Sequence, residues 1–219
     1  MNVKEQRSIS RWSVASYDVL IERLLAATEC MVVLIGGPGD LARLGRPDPG
    51  RDGRLPLMVE AAARLVRDAG ATAAVRGAVS GPFSLACALA GTEQVLVATV
   101  EDPPFVRRLL EHAARIAADF GAAFLAHGAE PVLFDSKASP GAASPRVFRE
   151  FVLPGYRDFL VPALREAGAR TAPLIIGGDT TPILEDLLAT GSGQLLCDAG
   201  SDLPRFVAQI LPAACRAWR

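Results

Sequence analysis

Leu174-Ile175-Ile176-Gly177-Gly178-Asp179-Thr180-Thr181-Pro182, followed by Ile183-Leu184-Glu185-Asp186-Leu187-Leu188 and closed by Thr190-Gly191, reads as strand, tight loop and helix. Three apolar residues after Pro173 suit a buried parallel strand, and the glycine pair lets the backbone turn. Thr181 before Pro182 has the form of an N-cap and first helical residue, and Gly191 supplies the stop. In a βα unit such a loop lies at the carboxyl end of its strand, where parallel α/β folds place their ligands. Gly178, Asp179, Thr180 and Thr181 are therefore candidate site residues. The free N–H groups of the loop favour an anion, and an ordinary capped turn is the alternative reading.

The same alternation extends outward on both sides. A helix runs from Leu55 to a stop at Gly70, a strand is expected over Thr72–Val75, and Gly81-Pro82 opens a helix ending at Gly91. A further helix is expected from Glu93 to about Val100, and Pro103-Pro104 starts a long one reaching His127-Gly128. Strand Val132–Phe134 delivers Asp135, Ser136 and Lys137 to the same edge. Ser144-Pro145 then caps a helix that Pro154 should kink. Leu195-Leu196-Cys197 forms another strand tip with Asp198 beyond it, and a last helix starts near Asp202. Upstream, Ser13–Ala27 has helical rhythm, and Cys30–Ile35 is a strand-like run ended by Gly36-Gly37-Pro38-Gly39, which lacks the lysine and hydroxyl ending of a P-loop. Strands alternating with helices predict a parallel α/β architecture, with about five βα units where a closed barrel has eight.

Composition narrows the function classes. The 219 residues are half hydrophobic and carry a formal charge of −1 with no basic stripe, which argues against nucleic acid as a partner. Cys30, Cys87, Cys197 and Cys215 form no C-x-x-C pair. No apolar run approaches the roughly 18 residues a membrane span needs, and Met1–Arg11 leads into no signal-type segment. A cytoplasmic protein without membrane or nucleic-acid partners is the expectation.

The ordered motifs Leu55-Pro56, Gly81-Pro82-Phe83-Ser84, Pro103, Phe134-Asp135, Ser144-Pro145 with Phe148, Phe151 and Pro154, and Gly178-Asp179-Thr180-Thr181 with Gly191 resemble the uroporphyrinogen decarboxylase superfamily. Within it the chain looks most like the methylcobamide:coenzyme M methyltransferase branch. The likeness covers about Pro47 to Leu203, with residues 1–46 a divergent segment and 47–219 a partial barrel. What the resemblance implies is a (β/α)8 TIM-barrel fold, here incomplete. Its activity would be methyl transfer from a corrinoid protein to a thiol, or decarboxylation of a tetrapyrrole.

Departures from the family pattern bear on chemistry. Where the methyltransferase branch has His-x-Cys-Gly supplying zinc ligands, this chain has Ile175 and Gly177, and no bound zinc or other cofactor is expected. A corrinoid would then come only through a partner protein. Asp135 and Asp179 are the candidate catalytic carboxylates, and Asp135 could orient a substrate, accept a proton or cap a helix. Ser80, Gly178, Thr180, Thr181 and Asp198 are candidate substrate contacts, and Arg76 is the one arginine assigned to clamp a substrate carboxylate. His112 and His127 are read as surface or dipole partners of the long helix. A non-catalytic tetrapyrrole-binding or corrinoid-protein-binding module is the third reading. Unpaired barrel edges predict a homo-oligomer or obligate complex.

Overall fold

A computed structural model describes residues 38–209. The described residues all belong to one compact unit. The expected helix over Ser13–Ala27, the strand Cys30–Ile35, most of its glycine turn, and Cys215 lie outside them.

Helix α1 (Pro38–Leu41) and an exposed connection lead to α2 (Leu55–Ala69), β1 (Arg76–Ser80), α3 (Pro82–Ala90), α4 (Thr92–Glu101) and α5 (Pro103–Ala126). Next come β2 (Glu130–Phe134), a continuous helical run α6 over residues 145–166, β3 (Leu174–Ile175), α7 (Leu184–Ala189) and a helix α8 seen over 203–209. Proline and glycine set most of these boundaries. Pro82 and Pro103 open α3 and α5, where a missing N–H costs nothing, and Asp102 accepts from the Phe105 N–H at 3.0 Å.

The first strand lies four residues later than expected. Thr72 and Ala73 donate their N–H groups back to Ala69, so Thr72–Val75 prolongs the end of α2 as a turn. The pairing partner decides the strand: β1 runs parallel to β2 in the register Arg76↔Glu130 to Ser80↔Phe134. β2 pairs in parallel with β3 through Leu133↔Leu174 and Phe134↔Ile175, and a parallel bridge Leu174↔Leu195 adds a fourth strand position.

Val79, Leu133 and Leu174 turn to the helix side and are fully buried. They meet α5, whose Phe105, Leu109, Leu110, Ala113, Ala117, Phe120 and Phe124 form one buried stripe at helical spacing. Each large side chain so enclosed contributes roughly 1.5–3 kcal/mol. Phe83, Phe148 and Phe151 are buried in the same core.

The opposite face of the sheet carries Arg76, Ala78, Ser80, Val132, Phe134, Ile175 and Leu196. Arg76 Nη2 reaches Gln194 Oε1 at 3.5 Å, although their strands are three spacings apart, about 14 Å. Two long side chains leaning toward each other along this face bridge that span.

α6 is wound unusually. Ser144 Oγ accepts from the Val147 N–H at 3.3 Å, and wide π turns then occupy Phe148–Val152 and Gly155–Leu160 on either side of Pro154. Pro154 has no N–H for the carbonyl of Glu150. Arg107 of α5 supplies the donor instead, Nη1 to Glu150 O at 2.8 Å, while its guanidinium lies 4.8 Å from the Phe151 ring centre. Arg149 then ties α6 to α7 through a two-pronged pair with buried Asp186, at 2.9 and 3.1 Å.

Candidate functional site

The carboxyl ends of the four strand positions bring Ser80, Asp135, the 177–181 loop and the 198–201 loop to one edge. Two hydrogen-bonded clamps hold this edge together.

The first clamp is built on Asp135, which follows β2 directly and is wholly buried. Its Oδ1 accepts from the Ser84 N–H at 2.7 Å and the Ser84 hydroxyl at 2.6 Å, and its Oδ2 from the Phe83 N–H at 3.1 Å and the Tyr156 hydroxyl at 2.8 Å. Ser84 Oγ in turn accepts from the Lys137 N–H at 3.1 Å. Asp135 is thus the cap of α3, supplied from another strand because the residue preceding Pro82 is glycine. Only glycine fits at position 81, since a Cβ there would land on Tyr156 Oη and Asp135. Burial pushes the Asp135 carboxyl up, against the pull of the hydrogen bonds from Ser84, Tyr156 and Phe83. Burial, with the carboxylate beside it, holds the Tyr156 phenol well above its usual range, so it stays a donor. Of the alternatives open for Asp135, the capping role is the one this geometry performs.

The second clamp joins the loop after β3 to the loop after Leu195. Asp198 Oδ2 accepts from the Gly178 N–H at 3.0 Å and Oδ1 from the Gly200 N–H at 3.3 Å. Gly178 stands at φ +79°, the left-handed region that this turn requires. Thr180, fully buried, meets Ser201 Oγ through its N–H at 2.9 Å and its hydroxyl at 3.0 Å, and Ser201 Oγ also reaches Gly178 O at 3.2 Å. Asp179 Oδ1 accepts from the Thr181 N–H at 3.0 Å.

Two expectations change here. Thr181 does not cap the helix after it: its Oγ1 accepts from the Asp202 N–H at 2.9 Å, and Thr181–Ile183 is a 3₁₀ turn preceding α7. Nor does the loop keep a row of free N–H groups for an anion, because those of Gly178, Thr180 and Thr181 are taken by Asp198, Ser201 and Asp179. The N–H of Gly178 and then that of Gly200 lower the Asp198 carboxyl, and Thr181 lowers that of Asp179, so this corner carries two ionised carboxylates.

Arg76 is not with the others. It opens β1, four residues or about 13 Å from Ser80, at the amino edge of the sheet beside Gln194. What faces solvent at the carboxyl edge is Ser80, Ser136, Lys137, Gly178 and Asp179. These hydroxyl, ammonium and carboxylate groups can position a polar ligand. Tyr156, Ser84 and Ser201 complete the clamps; Ser84, the third residue after Gly81 at a helix start, was the most visible of them in sequence.

Ile175 and Gly177 offer no metal-binding atom. The nearest carboxylate oxygen to the Gly177 backbone, Asp198 Oδ2, would lie 3.6 Å from a Cβ added there and is already engaged with Gly178. The residues present therefore do not fit the zinc set implied by the methyltransferase branch.

Comparison with known proteins bears on the scaffold. The family model described as "Uroporphyrinogen decarboxylase (URO-D)" matches residues 32–214. Curated protein sequences give no match. A solved structure of a methyltransferase from Methanosarcina mazei superimposes with a TM-score of 0.66 at 24% identity, over 73% of this chain and 47% of that one. This chain thus spans about half the length of that protein, and the likeness establishes a shared fold. The described βα units are part of a (β/α)8 barrel.

Proposed function

Since the chain belongs to the uroporphyrinogen decarboxylase family, we propose that it is a relative of the corrinoid-dependent methyltransferases whose carboxyl-edge cleft binds a tetrapyrrole or corrinoid without activating a thiol on zinc. The observation that carries this reading is the side-chain chemistry after β3, where a hydrocarbon and a bare glycine occupy the positions at which thiol activation needs nitrogen and sulfur ligands. The methyltransferase likeness of the fold supports the branch. A decarboxylase has less support, because Arg76 lies at the amino edge and no arginine takes its place among the exposed groups named at the cleft.

The test is a titration of the purified chain with methylcobalamin and with uroporphyrin, followed by absorbance, alongside assays for methylated coenzyme M and released carbon dioxide. Saturable binding without turnover is expected, weakened in Ser80→Ala and Asp179→Ala. Methylated thiol, carbon dioxide release, or no binding of either chromophore would overturn the proposal. No single helix among the described residues is long and apolar enough to cross a membrane.

A further inference from the structure

A pocket of about 380 Å³ opens at the amino edge of the sheet, opposite the cleft, among the turns that lead into β1, β2 and β3. Sites that hold small molecules span roughly 300–1,000 Å³. Three charged side chains line it: Arg76 at the start of β1, Glu130 at the start of β2 and Arg170 in the turn before β3. Arg76 and Glu130 are register partners, one strand spacing of about 4.8 Å apart. Val66, Ala73, Ala74 and Val75 supply an apolar wall.

Glu130 and Arg76 each have an unfilled side. The Glu130 side chain is only 10% exposed, and its Oε1 is taken by the N–H groups of Arg170, Thr171 and Ala172 at 2.9, 2.8 and 3.2 Å. Among the described residues Oε2 accepts no hydrogen bond, and Arg170 Nε stands 3.9 Å away, beyond the reach of one. A carboxylate oxygen so enclosed calls for a donor. Burial raises this carboxyl, but the hydrogen bonds from Thr171, Ala172 and Arg170 outweigh burial, so the group is ionised at neutral pH. Arg76 lacks an anion: its side chain makes the long contact with Gln194, and among the described residues no carboxylate lies within ion-pair distance of it.

We propose that this pocket binds an α-amino acid with an aliphatic side chain. The ammonium group donates to Glu130 Oε2, the carboxylate faces the guanidinium groups of Arg76 and Arg170, and the side chain lies against Val66, Ala73, Ala74 and Val75. The pattern of charge selects this class. A plain anion would meet the Glu130 carboxylate beside it, and a plain cation would meet two guanidinium groups; like charges so placed cost affinity. A molecule with both signs on one carbon matches opposite charges one strand spacing apart and answers both unfilled sides at once. Barrel enzymes carry out their chemistry at the carboxyl face, so a ligand held at the amino edge lies apart from the cleft, and this inference does not depend on the ligand proposed there.

The test is isothermal titration calorimetry of the full chain at neutral pH with L-leucine. Isocaproate and isoamylamine serve as the same skeleton without the ammonium and without the carboxylate. Saturable binding of L-leucine is expected, with each truncated form weaker by about tenfold or more, the effect of one lost charged hydrogen bond. Arg76→Ala and Arg170→Ala, both at exposed positions, should each weaken L-leucine by about fivefold or more with the melting temperature unchanged. Glu130→Gln keeps an oxygen for the three N–H groups and turns an amide NH₂ toward the pocket. It should weaken L-leucine and spare isocaproate, a split that a purely structural role of Glu130 does not produce. Ser80→Ala, at the cleft, should leave L-leucine binding as it is. No saturation by about 10 mM L-leucine, equal affinity for isocaproate, or binding untouched by Arg76→Ala and Glu130→Gln would overturn the proposal.

Discussion

Tyr156 donates its phenolic hydrogen to Asp135 across 2.8 Å, and neither side chain meets solvent. The bond links α6 to the tip of β2, and through Asp135 to the first turn of α3. Replacing Tyr156 by Phe leaves the ring in place and removes one donor from a buried carboxyl, which should cost about 1–3 kcal/mol in urea denaturation. Asp135→Ala should cost more, since it also orphans the N–H groups of Phe83 and Ser84. Equal stability of Tyr156→Phe and the parent chain would mean that the phenol contributes nothing here.

Gly81 lies inside this junction. Gly81→Ala forces its methyl group onto the Tyr156 hydroxyl and Asp135, and overpacking of this kind costs about 1–3 kcal/mol. Gly45→Ala places a methyl group in open space and serves as the reference. Thermal unfolding of the two variants should separate them by several degrees, roughly the shift of one to two kcal/mol in a domain of this size.

Glu130 fastens the segment before β3, its Oε1 accepting from the N–H groups of Arg170, Thr171 and Ala172 at 2.9, 2.8 and 3.2 Å. Burial raises its carboxyl, but the hydrogen bonds from Thr171, Ala172 and Arg170 together outweigh burial and leave it below its ordinary value of 4.5. A carboxyl lowered by folding stabilises above its unfolded value, and that contribution disappears as pH falls through the folded one. The stability gap between the parent chain and Glu130→Gln should therefore be open at pH 7 and narrow as pH falls below 4.5 and through the lower folded value. Urea titrations at several pH values measure it, and a gap independent of pH would contradict the assignment.

The loop after β3 can be asked directly about metal. A Cβ at Gly177 meets Asp198 Oδ2 at an ordinary 3.6 Å, so cysteine fits there. Ile175→His with Gly177→Cys should then raise zinc affinity by roughly tenfold or more, with Asp198 as a nearby third ligand. Adding Asp198→Ala should reverse most of that gain in a competition titration with a zinc-sensitive dye. One tightly held zinc per chain in the unmodified protein, by elemental analysis, would place the ligands elsewhere.

Proline and glycine made the helices legible: Pro82, Gly91, Pro103 and Pro145 mark their boundaries in the sequence itself. β1 was misplaced because Arg76-Gly77-Ala78-Val79-Ser80 is short and rich in small residues, and only its register with β2 marks it as a strand. That one shift also explains Arg76. With a strand ending at Val75 it falls just beyond the carboxyl end, and with a strand beginning at Arg76 it moves to the opposite edge. Asp135 was visible as the residue after a strand. Its partners lie 51 residues before and 21 residues after it in the chain, at Ser84 and Tyr156, a distance local patterns do not span. Thr181 has every local mark of a helix cap, yet Asp202, a residue from the next unit, takes its hydroxyl.

The contact between Arg107 and the carbonyl freed by Pro154 also sets an order of assembly. The first π turn of α6, which holds Glu150, has that carbonyl answered only when a guanidinium from α5 lies beside it. Synthesis from the amino terminus delivers residue 107 well before residue 154, so the growing chain meets this condition. A circular permutant opened at the exposed turn near Gly141 would deliver α6 first, with the Glu150 carbonyl unanswered until the rest of the chain emerged. It should reach the same final fold more slowly, a difference in timing that the finished structure does not record.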